Sequence, residues 1–127
     1  MANGFVFECN SETYLGCVEN GVFGSNKPWP LKILQGDLCL LHHYDAGCLF
    51  ALWVAETNGG RNLVPKLWNG KFPYQVKVKL ITPKIAEVPK SVLTEFDASP
   101  AVGRFDSVLD EDFVDAIVKS LKHQKPA

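Results

Sequence analysis

Two runs, LCLLHHY (residues 38–44) and CLFALWVA (residues 48–55), flank the tripeptide Asp45-Ala46-Gly47 in the middle of the chain. A short Asp- and Gly-containing segment between two such runs is typical of a β-hairpin. Both runs are almost continuously apolar, and short apolar runs of this kind indicate strands that are covered on both faces. The stretch therefore predicts two neighbouring antiparallel strands at the centre of a sheet.

The residues before this hairpin predict a strand, a helix and a loop. GFVFEC (residues 4–9) is aromatic and β-branched, which favours a short strand. Asn10-Ser11 is a helix N-cap and Asn20-Gly21 is a C-cap, so we expect a short helix between them. Residues 22–30 are rich in Gly, Asn and Pro and are expected to form a loop.

The residues after the hairpin predict another strand and a terminal helix. YQVKVKLI (residues 74–81) alternates in polarity, which places Gln75, Lys77 and Lys79 on a solvent face. Residues 90–96 are expected to form one or two helical turns. The apolar residues from 113 to 121 recur every four positions and predict an amphipathic helix. Its start is acidic, which suits the positive end of a helix dipole.

Together these elements predict a small α+β domain with a mostly antiparallel, curved sheet and helices at its edges. We assign residues 1–121 to this single domain and residues 122–127 to a polar tail or the start of a linker. A chain of 127 residues that is 46% hydrophobic is sufficient for one packed core and too short for two.

Composition excludes several classes of protein. No apolar run reaches the roughly 18–20 residues that a membrane span needs, and no secretory signal opens the chain. We therefore expect no membrane association and a cytoplasmic location, or a nuclear one in a eukaryote. The formal net charge of −1 gives no bulk attraction to nucleic acid, so any ligand must be held at a local site.

The cysteines and histidines carry no motif. Cys9, Cys17, Cys39 and Cys48 form no C-x-x-C pair, so we expect reduced and mostly buried thiols, with two disulfides as the alternative and no zinc site. His42 and His43 are adjacent on a predicted strand and point to opposite faces, so at most one can serve any one site.

Motifs for catalysis are absent as well. The sequence holds no phosphate loop, no G-x-S-x-G elbow and no H-E-x-x-H pair, so we expect no enzyme, no cofactor and no bound metal. Aromatic residues instead cluster near predicted turns, where such rings can stack on planar ligands. They are Phe23, Trp29, Tyr44, Trp68 and Phe72. Trp53 lies mid-strand and is expected in the core, whereas Trp29 and Trp68 fit either packing or stacking.

The order of short motifs resembles that of the development and cell death (DCD) domain, a family best known from plants. The resemblance spans residues 4–93. It rests on Gly4 to Asn10, Thr13 to Leu15, Gly21 to Gly24, Ile33 to Tyr44, Gly59 to Pro65, Trp68 and Phe72 to Val78. The layout is also similar to that of YTH and EVE domains, so the resemblance implies a PUA-like fold, with a curved antiparallel or mixed sheet or an open barrel and flanking helices.

The resemblance also implies a function. YTH domains flip a nucleotide out and hold N6-methyladenine in an aromatic cage. By that likeness, the chain is a non-enzymatic module that reads a flipped, modified base in single-stranded or locally opened DNA or RNA. Related domains precede the motor domain of McrB-type restriction systems, so fusion to or partnership with such a motor is a further implication. The alternative is a DCD-type protein-interaction or signalling module with no nucleic-acid ligand.

The resemblance supplies the candidate site residues, which fall into two groups. Phe23 occupies the position of the first cage Trp of YTH domains, and polar residues follow the first strand as they do there. The candidate base-binding set is Asn10, Ser11, Thr13, Phe23, Ser25, Asn26, Trp29, Asn62 and Trp68. The candidate phosphate contacts are Arg61, Lys66 and Lys71, since contacts of basic residues with phosphates supply most sequence-independent affinity.

Overall fold

The computed structural model describes residues 4–99 and 105–122. The strands are β1 (Gly4–Cys9), β2 (Val22–Ser25), β3 (Leu38–His43), β4 (Cys48–Ala55), β5 (Gly60–Arg61), β6 (Tyr74–Leu80), β7 (Ala86–Glu87) and β8 (Val108–Leu109). The helices are α1 (Tyr14–Asn20), α2 (Lys90–Glu95) and α3 (Glu111–Lys122), with 3-10 turns at Trp29–Lys32 and Leu67–Gly70.

The strands form one open, mixed sheet in the order β2-β6-β4-β3-β1-β8. β5 pairs with β6, and β7 pairs with β4. β1 and β3 are parallel, with Phe5 opposite Cys39, and the other strand pairs are antiparallel. This arrangement confirms the predicted α+β class and the central hairpin of β3 and β4.

Alternating residues of the central strands pack on opposite faces of the sheet. In β1, Phe5 and Phe7 join the cluster under α1 and the first 3-10 turn, whereas Val6 joins the cluster under α2 and α3. Trp53 is buried in the first cluster, as predicted. The sheet is therefore covered on both faces, which is why its central strands are apolar throughout.

Three local predictions need correction. Val22–Ser25 is a strand because its backbone pairs with β6, and the turn signals begin only at Asn26. α1 starts at Tyr14, since the side-chain oxygen of Asn10 accepts from the backbone N–H groups of Glu12 and Thr13 and forms a turn first.

The third correction concerns the solvent face of β6. Lys77 and Lys79 are exposed as predicted, but Gln75 is buried. Its amide oxygen accepts from the backbone N–H of Val64 at 2.8 Å, and its amide nitrogen donates to the carbonyls of Val64 and Phe72. A polar side chain at a predicted surface position therefore anchors the segment that runs from β5 to β6.

Candidate functional site

A pocket of about 250 Å³ opens at the end of β1, where the chain turns toward α1. Its walls come from segments far apart in sequence, including the end of β2, the residue after β3, and residues 105 and 107. The aromatic residues in the walls are Trp29, Tyr44, Phe72 and Phe105. The polar residues are Glu8, Asn10, Thr13, Ser25, Asn26, Lys27 and Ser107. Ligand sites usually combine apolar walls with a few placed polar groups in this way.

The polar wall nearest β1 is held by Asn10. Its side-chain oxygen also accepts from the Thr13 hydroxyl at 3.1 Å, and its backbone N–H donates to the same hydroxyl at 3.0 Å. Its amide nitrogen donates to the Tyr44 hydroxyl at 3.0 Å. Asn10 thus fixes the turn before α1 and the position of the Tyr44 ring at once.

Trp29 forms an aromatic wall that is supported from behind. Its ring stacks on Phe5 with centroids 6.2 Å apart and planes 8° apart, and it meets Phe7 at 4.6 Å. The residue is half-buried and lines the pocket. Since β1 residues brace it, the indole is held in place and can offer a planar surface to a ligand.

Glu8, which lines the pocket, is paired with a buried histidine. The Glu8 carboxylate contacts Nδ1 of His42, and the His42 and Phe105 rings meet edge to face with their centroids 5.0 Å apart. His42 is fully buried, whereas His43, on the other face of β3, is half-buried, as expected for neighbours on a strand.

The pocket brings together five of the candidate base-binding residues: Asn10, Thr13, Ser25, Asn26 and Trp29. Ser11 lies outside it, where its backbone N–H donates to the Asp45 carboxylate at 2.9 Å. That hydrogen bond holds the pKa of Asp45 below its usual value. Asn62 is exposed outside the pocket, and its backbone N–H donates to the Pro73 carbonyl.

The stacking role expected for Phe23 does not fit its place in the fold. The side chain is 0% exposed and packs in the core between Phe7 and Trp53. Neither face of its ring is open to a ligand. The prediction of a loop over residues 22–30 implies an exposed Phe23, whereas in β2 this side chain packs into the core cluster.

Trp68 also lies outside the pocket lining. Its ring packs edge-on against Phe72 at 5.5 Å and lies over glycines of α1 and β2. A Cβ at Gly16 would come within 2.8 Å of Nε1 of the indole, and one at Gly24 within 2.7 Å of Cζ3. Of the two readings left open for this residue, packing describes its position.

The three candidate phosphate contacts are exposed and lie outside the pocket lining. The Arg61 guanidinium lies 5.2 Å from the centre of the Tyr74 ring and donates to its hydroxyl at 3.3 Å. Lys71 directly precedes Phe72, which lines the pocket, and Lys66 lies just before the second 3-10 turn.

Sequence reasoning missed several residues of the pocket. Tyr44 and Phe72 carried a usable signal, because both are aromatic and close to predicted turns. Lys27 follows directly after two assigned residues. Glu8 and Phe105 carried none, since the first was read as part of a strand and the second is brought to the site by the β1–β8 pairing.

A second, larger groove of about 620 Å³ lies between α2 and α3. Glu95, Asp112 and Asp115 line it, with Lys119 as the single basic residue in the lining. Carboxylates repel a phosphate backbone, so this groove is unsuited to nucleic acid. The smaller pocket is the better ligand site.

All four cysteines are free, as predicted, with Cys48 half-buried and the others buried. Within residues 4–99 and 105–122, no cluster of three or more His, Cys, Asp or Glu side chains could hold a metal ion. None of the helices described is long and apolar enough to cross a membrane.

The sequence profile of the development and cell death domain matches residues 3–119. The chain belongs to this family. No curated protein sequence matches this DCD domain. The family therefore rests on the profile, which covers most of the chain.

Solved structures similar to this DCD domain are YTH domains. The YTH domain of the Zygosaccharomyces rouxii MRB1 protein, in complex with N6-methyladenosine RNA, has 18% identity and a TM-score of 0.65, with 98% of this chain and 90% of that chain covered. The Toxoplasma CPSF4 YTH domain, in complex with m6A-modified RNA, has 10% identity and a TM-score of 0.70, with 100% and 95% covered. These likenesses show the predicted fold.

Proposed function

We propose that this DCD domain is a nucleic-acid-binding module that takes one nucleobase, flipped out of single-stranded or locally opened nucleic acid, into the pocket beside Trp29. The proposal assigns it no catalytic step. The observation that carries it is the convergence of aromatic rings and hydrogen-bonding side chains on one small concave site. Stacking of a base on an aromatic ring contributes roughly 1–3 kcal/mol.

The size and walls of the pocket support a single planar group. At about 250 Å³ it lies below the range of roughly 300–1,000 Å³ that is usual for drug-sized ligands. Trp29 and Phe72 supply rings, and Asn10 and Ser25 supply polar contacts. The YTH domains of similar fold, solved with N6-methyladenosine RNA, support a modified base as the ligand.

Arg61, Lys66 and Lys71 are proposed to follow the phosphates that flank the bound base. They lie on the segment that leads to Phe72, and all three are exposed. Because the chain has a formal net charge of −1, we expect modest affinity and a shallow dependence on salt.

Tryptophan fluorescence tests the proposal. The protein is titrated with short DNA and RNA oligonucleotides, single- and double-stranded, with and without methylated bases, at low salt. We expect saturable quenching that favours one modified strand. Because Trp29→Ala removes a reporting indole, its affinity is measured by the anisotropy of a fluorescein-labelled strand, and we expect a loss of about tenfold or more, since the stacking partner of the base is removed. Ile81→Ala, at an exposed apolar residue outside the pocket, is the control and should bind as the unaltered protein does.

A flat response from folded protein across the whole panel would overturn the proposal and favour a protein partner. The acidic groove between α2 and α3 is then the first surface to test, because its three carboxylates suit a basic segment. If oligonucleotides bind and Trp29→Ala leaves their affinity unchanged, the ligand is bound elsewhere on the domain.

A further inference from the structure

The polar groups of the pocket differ in what they can still offer a ligand. The Asn10 side-chain oxygen accepts three hydrogen bonds, two from backbone N–H groups and one from the Thr13 hydroxyl. That hydroxyl in turn accepts from the backbone N–H of Asn10. These two side chains are occupied with each other and the turn, so their role is to position rather than to read.

Tyr44 and Ser25 each keep an unused donor. The Tyr44 oxygen accepts from the Asn10 amide nitrogen, and the Ser25 oxygen accepts from the backbone N–H of Lys27 at 3.1 Å. A hydroxyl has one O–H to donate in addition. No hydrogen bond among the residues described uses either O–H, and Tyr44 is 45% exposed.

Lys27 adds a positive charge to the same pocket. Its ammonium has three N–H donors and no acceptor, and it is in no ion pair within the described part of the chain. The carboxylates nearby are engaged elsewhere: Glu8 with His42 and Asp45 with the backbone of Ser11. The Tyr44 and Ser25 hydroxyls and this ammonium therefore remain as donors for a ligand, and the ammonium is charged.

We infer that Tyr44, Ser25 and Lys27 form a phosphate subsite in this pocket, which holds the phosphate of the nucleotide whose base lies against Trp29. A phosphate has only acceptors and a negative charge, so it complements two hydroxyl donors and an ammonium. The inference rests on the proposed function. It names a phosphate contact separate from the exposed residues Arg61, Lys66 and Lys71.

The consequence is that the pocket distinguishes a nucleotide from a nucleoside. Phosphate contacts usually position a nucleic acid without reading its sequence. Here the contact would also set the direction in which the strand leaves the pocket. The Asn10–Tyr44 hydrogen bond links the turn before α1 to that contact, so Asn10 acts as a positioning residue.

The test uses the full chain and calorimetric titration with matched small probes. These are the common ribonucleosides and N6-methyladenosine, each as the nucleoside, the 3′-monophosphate and the 5′-monophosphate, with inorganic phosphate alone for comparison. For every base that binds, we expect one monophosphate to bind about tenfold more tightly than its nucleoside. Tyr44→Phe and Lys27→Gln should each reduce that ratio severalfold, because one donor to a charged group is lost.

Two control variants lie outside the pocket lining: Tyr14→Phe, whose ring packs on Phe50, and Lys84→Gln, which removes an exposed charge. Both should keep the ratio of the unaltered protein. Equal binding of nucleoside and monophosphate, or a ratio that Tyr44→Phe and Lys27→Gln leave unchanged, would overturn the phosphate subsite while the base pocket stands. If nothing on the panel and no oligonucleotide binds, the proposed function fails and this inference fails with it.

Discussion

The ring of Phe23 meets the ring of Trp53 edge-on, with 5.0 Å between centroids and 72° between planes. The first residue belongs to β2 and the second to β4, two strands that are separated in the sheet by β6. Phe7 closes the group at 5.5 Å from Phe23. This aromatic group lies in the core cluster on the face of the sheet under α1, so the buried Phe23 ring contributes to stability.

Replacing Phe23 should therefore lower the stability of the fold without weakening ligand binding. We expect Phe23→Ala to lower the free energy of unfolding by about 3–5 kcal/mol, because it leaves a cavity in a closed core. Urea denaturation followed by far-UV circular dichroism measures this loss. Phe23→Leu should cost only about 1 kcal/mol and bind oligonucleotides normally. A Phe23→Leu protein that is stable yet fails to bind would restore the stacking role.

Gly24 is expected to tolerate no side chain while Trp68 is present. A Cβ there would lie 2.7 Å from the indole and 3.2 Å from the Phe72 carbonyl oxygen, so Gly24→Ala should destabilise the fold by about 1–3 kcal/mol. Trp68→Leu in the same chain removes the closer of the two contacts. A double-mutant cycle on unfolding free energies should then give a favourable coupling of about 0.5–3 kcal/mol. Additive losses would show that the indole is not the obstacle.

Gln75 is expected to hold the segment between β5 and β6 in place. In Gln75→Leu, the backbone N–H of Val64 loses its acceptor, which costs about 1–3 kcal/mol for a buried donor. Hydrogen exchange should then be at least about tenfold faster at the Val64 amide. The internal control is the Glu56 amide, which donates to the carbonyl of Lys77 in β6, the strand that also holds Gln75. Unchanged protection at Val64 would contradict the anchoring role.

Stability should fall at alkaline pH because of the buried thiols. Burial raises the pKa of Cys17, and that of Cys39, from the ordinary 9.0 to about 12, and it raises the pKa of Cys9 as well. Between pH 9 and about pH 12, these thiols are deprotonated in the unfolded chain and still protonated in the folded chain. The free energy of unfolding therefore decreases as the pH rises through this range. Each thiol contributes at most about 1.4 kcal/mol per pH unit.

The unaltered protein and Cys39→Ala, denatured with urea at several pH values, separate this effect from that of other groups. The variant should show a shallower decrease above pH 9 and no difference in slope below it. Iodoacetamide at pH 8 should modify the half-buried Cys48 before the three buried thiols, since the thiolate is the reactive form. Identical alkaline slopes would contradict the contribution of Cys39.

The sequence predicted elements whose signal is local. The hairpin of β3 and β4 and the period of four in α3 depend on neighbouring residues, and both are confirmed. The sequence did not predict β2, because this strand has only four residues and is stabilised by pairing with the distant strand β6. The burial of Gln75 was not predicted for the same reason, because a polar side chain is buried only where backbone groups of other segments bond it.

The candidate site followed the same rule. Asn10, Thr13 and Trp29 could be assigned because the polar turn after β1 and the aromatic residue near a turn are visible in the sequence. Phe105 could not, since nothing near it in the chain indicates that β8 will carry it to β1.

The pairing of β8 with β1 also bears on how the protein is made. β1 leaves the ribosome before the other strands of the domain, but Gly4 pairs with Leu109, and the part of the pocket wall at Phe105 and Ser107 is synthesised just before that strand. Contacts between such distant parts of a chain slow folding, because a large loop must close before they form. Until β8 has been synthesised, the edge of the apolar strand β1 that pairs with it would stay unpaired. Chaperones bind such unpaired strand edges, which can also aggregate. Ligand binding by a nascent chain would then report that translation has passed residue 109.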